Sequence, residues 1–172
     1  MGVPWSTYLH WWRVGWHYYW RARTRYDAHS PFVARLTEAV LENRDEYYVF
    51  GHAITLRAFW EEINQPLDFS TDHGAGSRAG QGQRRTTREL VRHSAVGDTT
   101  ARQLFHLARL FRPATILELG TNLGFSSLYL RAAAPHARMI TLEGHPGVAA
   151  LAPRTWAMGR VHPPALLIVT FV

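Results

Sequence analysis

Hydrophobic positions follow two regimes along the chain. Up to Pro113 they recur every three or four residues, the period of helices with one apolar stripe; beyond it they form short apolar runs separated by glycine. In residues 5–26 the stripe is aromatic, with Trp5, Tyr8, Trp12, Trp16, Tyr19 and Trp20, and Arg13, Arg21, Arg23 and Arg25 supply much of its border. Such a helix can be an arm packed on the body or a partner, an interfacial membrane helix, or a stacking platform for single-stranded nucleic acid. Packing is expected, because Trp at helical spacing usually packs and nothing nearby reads bases. Ser30 and Pro31 open a second helix as N-cap and first residue, with Phe32, Leu36, Ala39 and Val40 on its apolar face. A third helix is predicted over 51–64, with Ile54, Leu56, Ala58, Phe59 and Trp60. The polar stretch 65–83 reads as a mobile loop. Helical period returns at Thr86, and 98–111 carries Leu104, Phe105, Leu107, Ala108 and Leu110 behind Asp98 as the expected N-cap.

After Pro113 the pattern becomes strand, loop, helix, turn, strand. Residues 115–119 are a short apolar strand, 120–124 a glycine loop and 125–134 a helix broken by Pro135, while 138–142 form a second strand ending in Glu143. That is a βαβ unit with parallel strands. A helix over 148–158 and a third strand over 165–171 are expected to follow. The predicted fold class is α/β, an N-terminal helical extension leading into the first part, about three parallel strands, of a Rossmann-like sheet. The expected divisions are a helical extension over 1–64, a flexible loop over 65–85 and a partial cofactor-binding domain over 86–172.

Composition changes this picture little. The 172 residues are 47% hydrophobic, ordinary for a globular chain. Cysteine is absent, which excludes disulfides and thiolate metal sites. The formal charge is +6, carried by Arg with no Lys, and suits weak attraction to anions without naming one. No apolar run approaches the ~18 residues a membrane span needs, and Trp and Arg interrupt the N-terminus where a signal peptide would be apolar. A cytoplasmic protein is the simplest expectation. The ten His residues form no metal-ligand motif, so no metal is expected. Gly74–Ala79 fits a dinucleotide pattern on paper but lacks a preceding buried strand, and reads as loop. No Gly-x-Ser-x-Gly elbow supports a Ser nucleophile.

Ligands of parallel sheets bind beyond the carboxyl ends of the strands. Gly120, just past the first strand, would let a ligand approach the backbone, and Gly124 opens a helix whose first amides make a polar cradle. Glu143, at the second strand tip, is placed to accept hydrogen bonds from a ribose diol. Glu118 could hold the loop through its amides or face a ligand's amino group. His145 reads as an exposed turn residue, with contact to a nucleoside's adenine side as the other reading.

The spacing Glu-x-Gly-x-x-x-Gly differs from the dinucleotide fingerprint. ILELGTNLGFSSLYL followed by ITLEGHP resembles the first two binding motifs of class I S-adenosylmethionine (SAM)-dependent methyltransferases, in the form found in small-molecule O-methyltransferases. HSPFVARLTEAV, EYYVF and DHGAGSR are similar to the leader of one bacterial branch, so the resemblance covers roughly residues 17 to 150. It implies SAM as cofactor, with Glu118, Gly120, Thr121, Asn122 and Gly124 lining its methionine side and Glu143 holding the ribose. It also implies a small-molecule methyl acceptor.

A doubly wound methyltransferase needs about seven strands, and only one candidate follows Glu143. A fragment is the simplest account, beside a frame shift near Leu151 or a partner that supplies the rest. On that account methyl transfer by this chain is expected to be weak or absent. No catalytic residue can be assigned. The bare sheet edge and the Trp-rich arm each offer a surface for a second copy of the chain, whereas nucleic acid is not expected as a partner. The alternative function is a non-catalytic interaction protein that uses the arm on nucleic acid or an anionic membrane.

Overall fold

The computed structural model describes residues 5–22, 30–69 and 84–169. The chain divides into two compact units, residues 1–38 and 39–172. In the first, helix α1 (Trp5–Arg21) has no buried residue. Helix α2 (Pro31–Leu36) starts as the sequence predicts: Ser30 accepts from the Val33 amide and Pro31 fills the first turn, where no amide is needed. The expected continuation to Val40 is a π-helical turn, Thr37–Leu41.

The second unit begins its core earlier than expected. Helix α3 (Tyr48–Ile63) starts ahead of residue 51, burying Val49 and Phe50 with Ala53, Leu56 and Trp60. These side chains share one core with Leu90, Phe105, Leu123 and Leu128. Helix α3 thus belongs to the second unit. Asn64 ends α3 in the left-handed region at φ 47°.

Part of the expected loop 65–85 is strand. β1 (Pro66–Asp68) pairs antiparallel with β2 (Arg84–Thr86). Three residues with one buried position, Leu67, are too short to show a period in the sequence. Residues 70–83, including the Gly74–Ala79 pattern, lie outside the described residues. Helix α4 (Thr87–His93) is fixed by a reciprocal cap, in which the Glu89 amide donates to Thr86 Oγ1 at 3.3 Å and the Thr86 amide to Glu89 Oε2 at 2.8 Å.

Helix α5 (Asp98–Phe111) is capped by Gly97, not Asp98. The Asp98 carboxylate instead accepts from Tyr129 Oη at 2.9 Å and from Arg102 Nε at 2.8 Å, linking the start of α5 to the next helix. Burial and the Asp98 carboxylate both push the Tyr129 hydroxyl pKa upward.

Three parallel strands then form: β3 (Thr115–Leu119), β4 (Arg138–Glu143) and β5 (Ala165–Ile168), in the order β3-β4-β5. Helix α6 (Phe125–Ala133) joins β3 to β4. The link from β4 to β5 is two short helices, α7 (Pro146–Ala149) and α8 (Ala152–Met158), where one helix was expected over 148–158. Sequential order with helical crossovers is the layout of one mononucleotide-binding half of a doubly wound sheet. The fold is Rossmann-like.

The two faces of the sheet differ. Ile116 packs with Ala108, Leu130, Ala134 and Ala137, and Met139 and Thr141 are buried beside it. On the opposite face Leu117 and Leu119 stand 64% and 77% exposed, with Leu167 also exposed.

Candidate functional site

The carboxyl ends of β3 and β4 meet at the 120–124 loop. Glu118 pairs in register with Thr141, and Leu119 with Leu142. The Gly120 and Thr121 amides both donate to the Leu142 carbonyl, at 2.9 and 3.0 Å, binding the loop to the second strand tip. The sheet thus brings Gly120, Thr121, Asn122, Gly124, Glu118 and Glu143 together.

Glu143 is clamped by two backbone amides. Its Oε2 accepts from Asn122 N at 2.7 Å and its Oε1 from His145 N at 3.0 Å. Each carboxylate oxygen has a second lone pair, so the clamp orients Glu143 without exhausting it. Glu143 is half-buried at the strand tip.

Glu118 is held from within. Thr141 Oγ1 donates to its Oε2 at 2.6 Å, and Ser127 Oγ donates to the same oxygen. Because Thr141 has one proton and gives it to Glu118, Thr121 Oγ1 is the donor in its 2.6 Å contact with Thr141. Thr121, Ser127 and Thr141 are all buried. The other carboxylate oxygen, Glu118 Oε1, is buried with no hydrogen-bond partner. Glu118 therefore braces strand to helix through side chains rather than holding the loop amides.

The Thr121 side chain is fully buried and turned toward Thr141. The loop amides are engaged. Besides those of Gly120, Thr121 and Asn122, the Leu123 amide donates to Asn122 Oδ1 at 2.7 Å and the Gly124 amide to the Thr121 carbonyl at 2.9 Å. An open N-terminal cradle is thus confined to the first turn of α6, where helix geometry leaves amides without carbonyl partners. His145, expected as an exposed turn residue, is buried. Its Nδ1 accepts from the Val148 amide at 3.1 Å, capping α7, which leaves Nε2–H to donate to the Asp68 carbonyl at 2.7 Å. Its ring lies 4.1 Å from that of Phe69, fastening β1 beside the strand tip.

The two glycines have different reasons. Gly120 has φ +90° and a Cβ placed on it would meet nothing within 4 Å, so its open side faces free space. Gly124 has φ +81°, and a Cβ there would lie 2.6 Å from Trp156 Nε1. Trp156 Nε1 in turn donates to the Gly124 carbonyl at 3.1 Å. Its neighbour Thr155 accepts from Trp60 Nε1 at 2.9 Å, joining α8 to α3.

Ser127, Thr141, Trp156 and the His145–Asp68 contact were not anticipated. Thr141 had one signal, a hydroxyl in an otherwise apolar strand interior; Trp156 had none, since its contact depends on how α8 folds back. Among the described residues no group of three or more His, Cys, Asp or Glu could hold a metal ion.

No family model and no curated protein matches the chain. Among solved structures it is similar to the O-methyltransferase TomG from Streptomyces achromogenes, involved in tomaymycin synthesis and solved in complex with SAM. The two are 33% identical, with 42% of this chain and 34% of that chain covered and a TM-score of 0.39. It is also similar to the SAH-bound methyltransferase PaMTH1 from Podospora anserina, at 14% identity over 83% of this chain and 50% of that one, TM-score 0.49. The O-methyltransferase from Bacillus cereus in complex with SAH follows at 14% identity, covering 77% and 51%, TM-score 0.45. The chain spans a third to about half the length of these proteins.

Proposed function

We propose that the carboxyl ends of β3 and β4 bind SAM and that the protein to which this site belongs is a methyltransferase acting on a small-molecule acceptor. The observation that carries the reading is the placement of Glu143. It sits beside the Gly120 bend, is oriented by two amides, and has lone pairs left for two vicinal hydroxyls. Two further features fit the same group. Gly120 leaves its outer side open, as close approach of a ligand to backbone requires. The partnerless Glu118 Oε1 is an acceptor of the charge and type that an ammonium group would satisfy.

Bound SAM would supply an electrophilic methyl carbon on a sulfonium. The chain's own part is positional. Glu143 would hold the ribose hydroxyls, Gly120 and the backbone of Asn122 would border the tail, and Gly124 would set the start of α6. Glu118, braced by Thr141 and Ser127, would face the amino end. Holding the donor in one orientation lowers the entropic part of a bimolecular barrier.

Calorimetry with SAM and with its demethylated product tests the assignment. Glu143→Ala should weaken binding by about 1.5–3 kcal/mol, roughly ten- to a hundredfold, through loss of a charged hydrogen-bond acceptor. An unchanged affinity in a folded variant removes Glu143 from the site.

A further inference from the structure

Helix α1 carries an aromatic stripe with a cationic border. With 100° per residue, Trp5, Tyr8, Leu9, Trp12, Trp16, Tyr19 and Trp20 lie on one side, each more than half exposed. The rings form a nearly continuous surface: Trp12 stacks on Trp16 with centroids 5.4 Å apart, and Trp16 meets Trp20 edge-on at 5.9 Å. His10, Arg13, His17 and Arg21 run along one border of that stripe, with Arg13 about 20° from Trp20, and Trp11, Val14 and Tyr18 lie on the far side. Residues 1–26 contain four Arg and no Asp or Glu. Within its own unit, no residue of the helix is buried.

We infer that α1 is an interfacial helix that binds an anionic lipid surface, lying in the membrane plane with its Trp and Tyr rings in the headgroup–acyl boundary and Arg13 and Arg21 directed to lipid phosphates. Three observations select this occupant. The charge is wholly positive, complementary to acidic headgroups. The apolar face is built of Trp and Tyr, whose rings carry an apolar body and a polar edge and favour the headgroup level over a dry core. The cations border the ring stripe, where long Arg side chains reach phosphates above the level at which the rings sit. The helix lies on the bilayer and does not cross it, since no described helix is long and apolar enough to span. The inference does not depend on the cofactor reading.

The full chain, mixed with vesicles of phosphatidylglycerol and phosphatidylcholine or of phosphatidylcholine alone, provides the test. The expected results are co-sedimentation favouring the anionic vesicles, a blue shift of Trp emission, and quenching by lipids brominated on the acyl chain. Arg13→Gln with Arg21→Gln should lower anionic-vesicle partition about thirtyfold, roughly fivefold per cation, and remove the preference over neutral vesicles. Trp12→Ser with Trp16→Ser should weaken binding to both vesicle types by at least about tenfold. Emission from the buried Trp60 and Trp156 reports whether each variant keeps its core, and Trp20→Ser serves if the double variant aggregates. No partition into anionic vesicles, or partition indifferent to the Trp substitutions, overturns the inference. So does preferential, steeply salt-dependent binding of a single-stranded oligonucleotide, or lipid-free self-association through the rings that vesicles do not compete away.

Discussion

The inner and outer sides of the 120–124 loop are built on opposite rules. Inside, the polar groups other than Glu118 Oε1 have been given a neighbour: Thr121 to Thr141, Thr141 and Ser127 to Glu118 Oε2, and Trp156 to the Gly124 carbonyl. Outside, Gly120 faces open space and Glu143, though clamped, keeps unused acceptor capacity. A ligand site needs both, because an acceptor left free for a ligand holds its aim only if the backbone beneath it cannot shift. The difference also separates two kinds of glycine. Gly124 answers to packing, Gly120 to access.

Substitutions on the two sides should break that contrast unequally. The largest effect is expected from Gly124→Ala, which combines a left-handed backbone with a methyl group 2.6 Å from Trp156 Nε1. Strain and overpacking together should cost roughly 2–5 kcal/mol in denaturant unfolding. A loss under about 1 kcal/mol would mean that α8 yields easily and the inner side is not closed. Glu118→Ala should come next, at about 2–3 kcal/mol, since Thr141 and Ser127 lose a shared charged acceptor. Unchanged stability would show that Glu118 does not brace the strand. Gly120→Ala should cost only ~1–2 kcal/mol of stability, from backbone strain alone, because its Cβ meets nothing. Its loss of SAM affinity in calorimetry should be proportionally greater, and equal damage to both would dissolve the distinction between the glycines.

The smallest effect concerns pH. His106 is buried among Tyr47, Phe50 and Phe105. Burial is the main cause of its lowered pKa, with Arg109 and Arg102 lowering it further and Asp45 opposing. A folded pKa below the unfolded value near ~6.5 favours the neutral ring. Its contribution to stability is therefore complete above that unfolded value and is lost as pH falls through the folded one. His106→Gln should flatten the acid side of the stability–pH curve, measured by thermal melts below neutral pH. Retention of the full slope would assign it to other groups.

Much of this arrangement was legible in the chain itself. Thr115–Leu119 and Arg138–Glu143 are apolar runs bounded by Pro, Gly and turn residues, so strand, loop, helix and strand follow from local chemistry. Ser30–Pro31 carries its own cap for the same reason. Other features depend on distant partners. Asp98 had every local qualification as an N-cap, yet Arg102 and Tyr129 offered its carboxylate more than the helix amides did. Leu67 makes a strand only because Arg85 lies opposite, and His145 is buried only because Asp68 and Phe69 close over it.

By itself the sequence determined the period of each element, the position of the glycine bend and the acid at the next strand tip, because these rest on contacts within a few residues. Tertiary structure alone decided which side of the loop is closed, that Thr121 turns inward, and that Gly124 is shaped by a tryptophan 32 residues away. Side-chain direction in a loop follows the neighbours it can pair with, and those neighbours arrive only when separate elements pack.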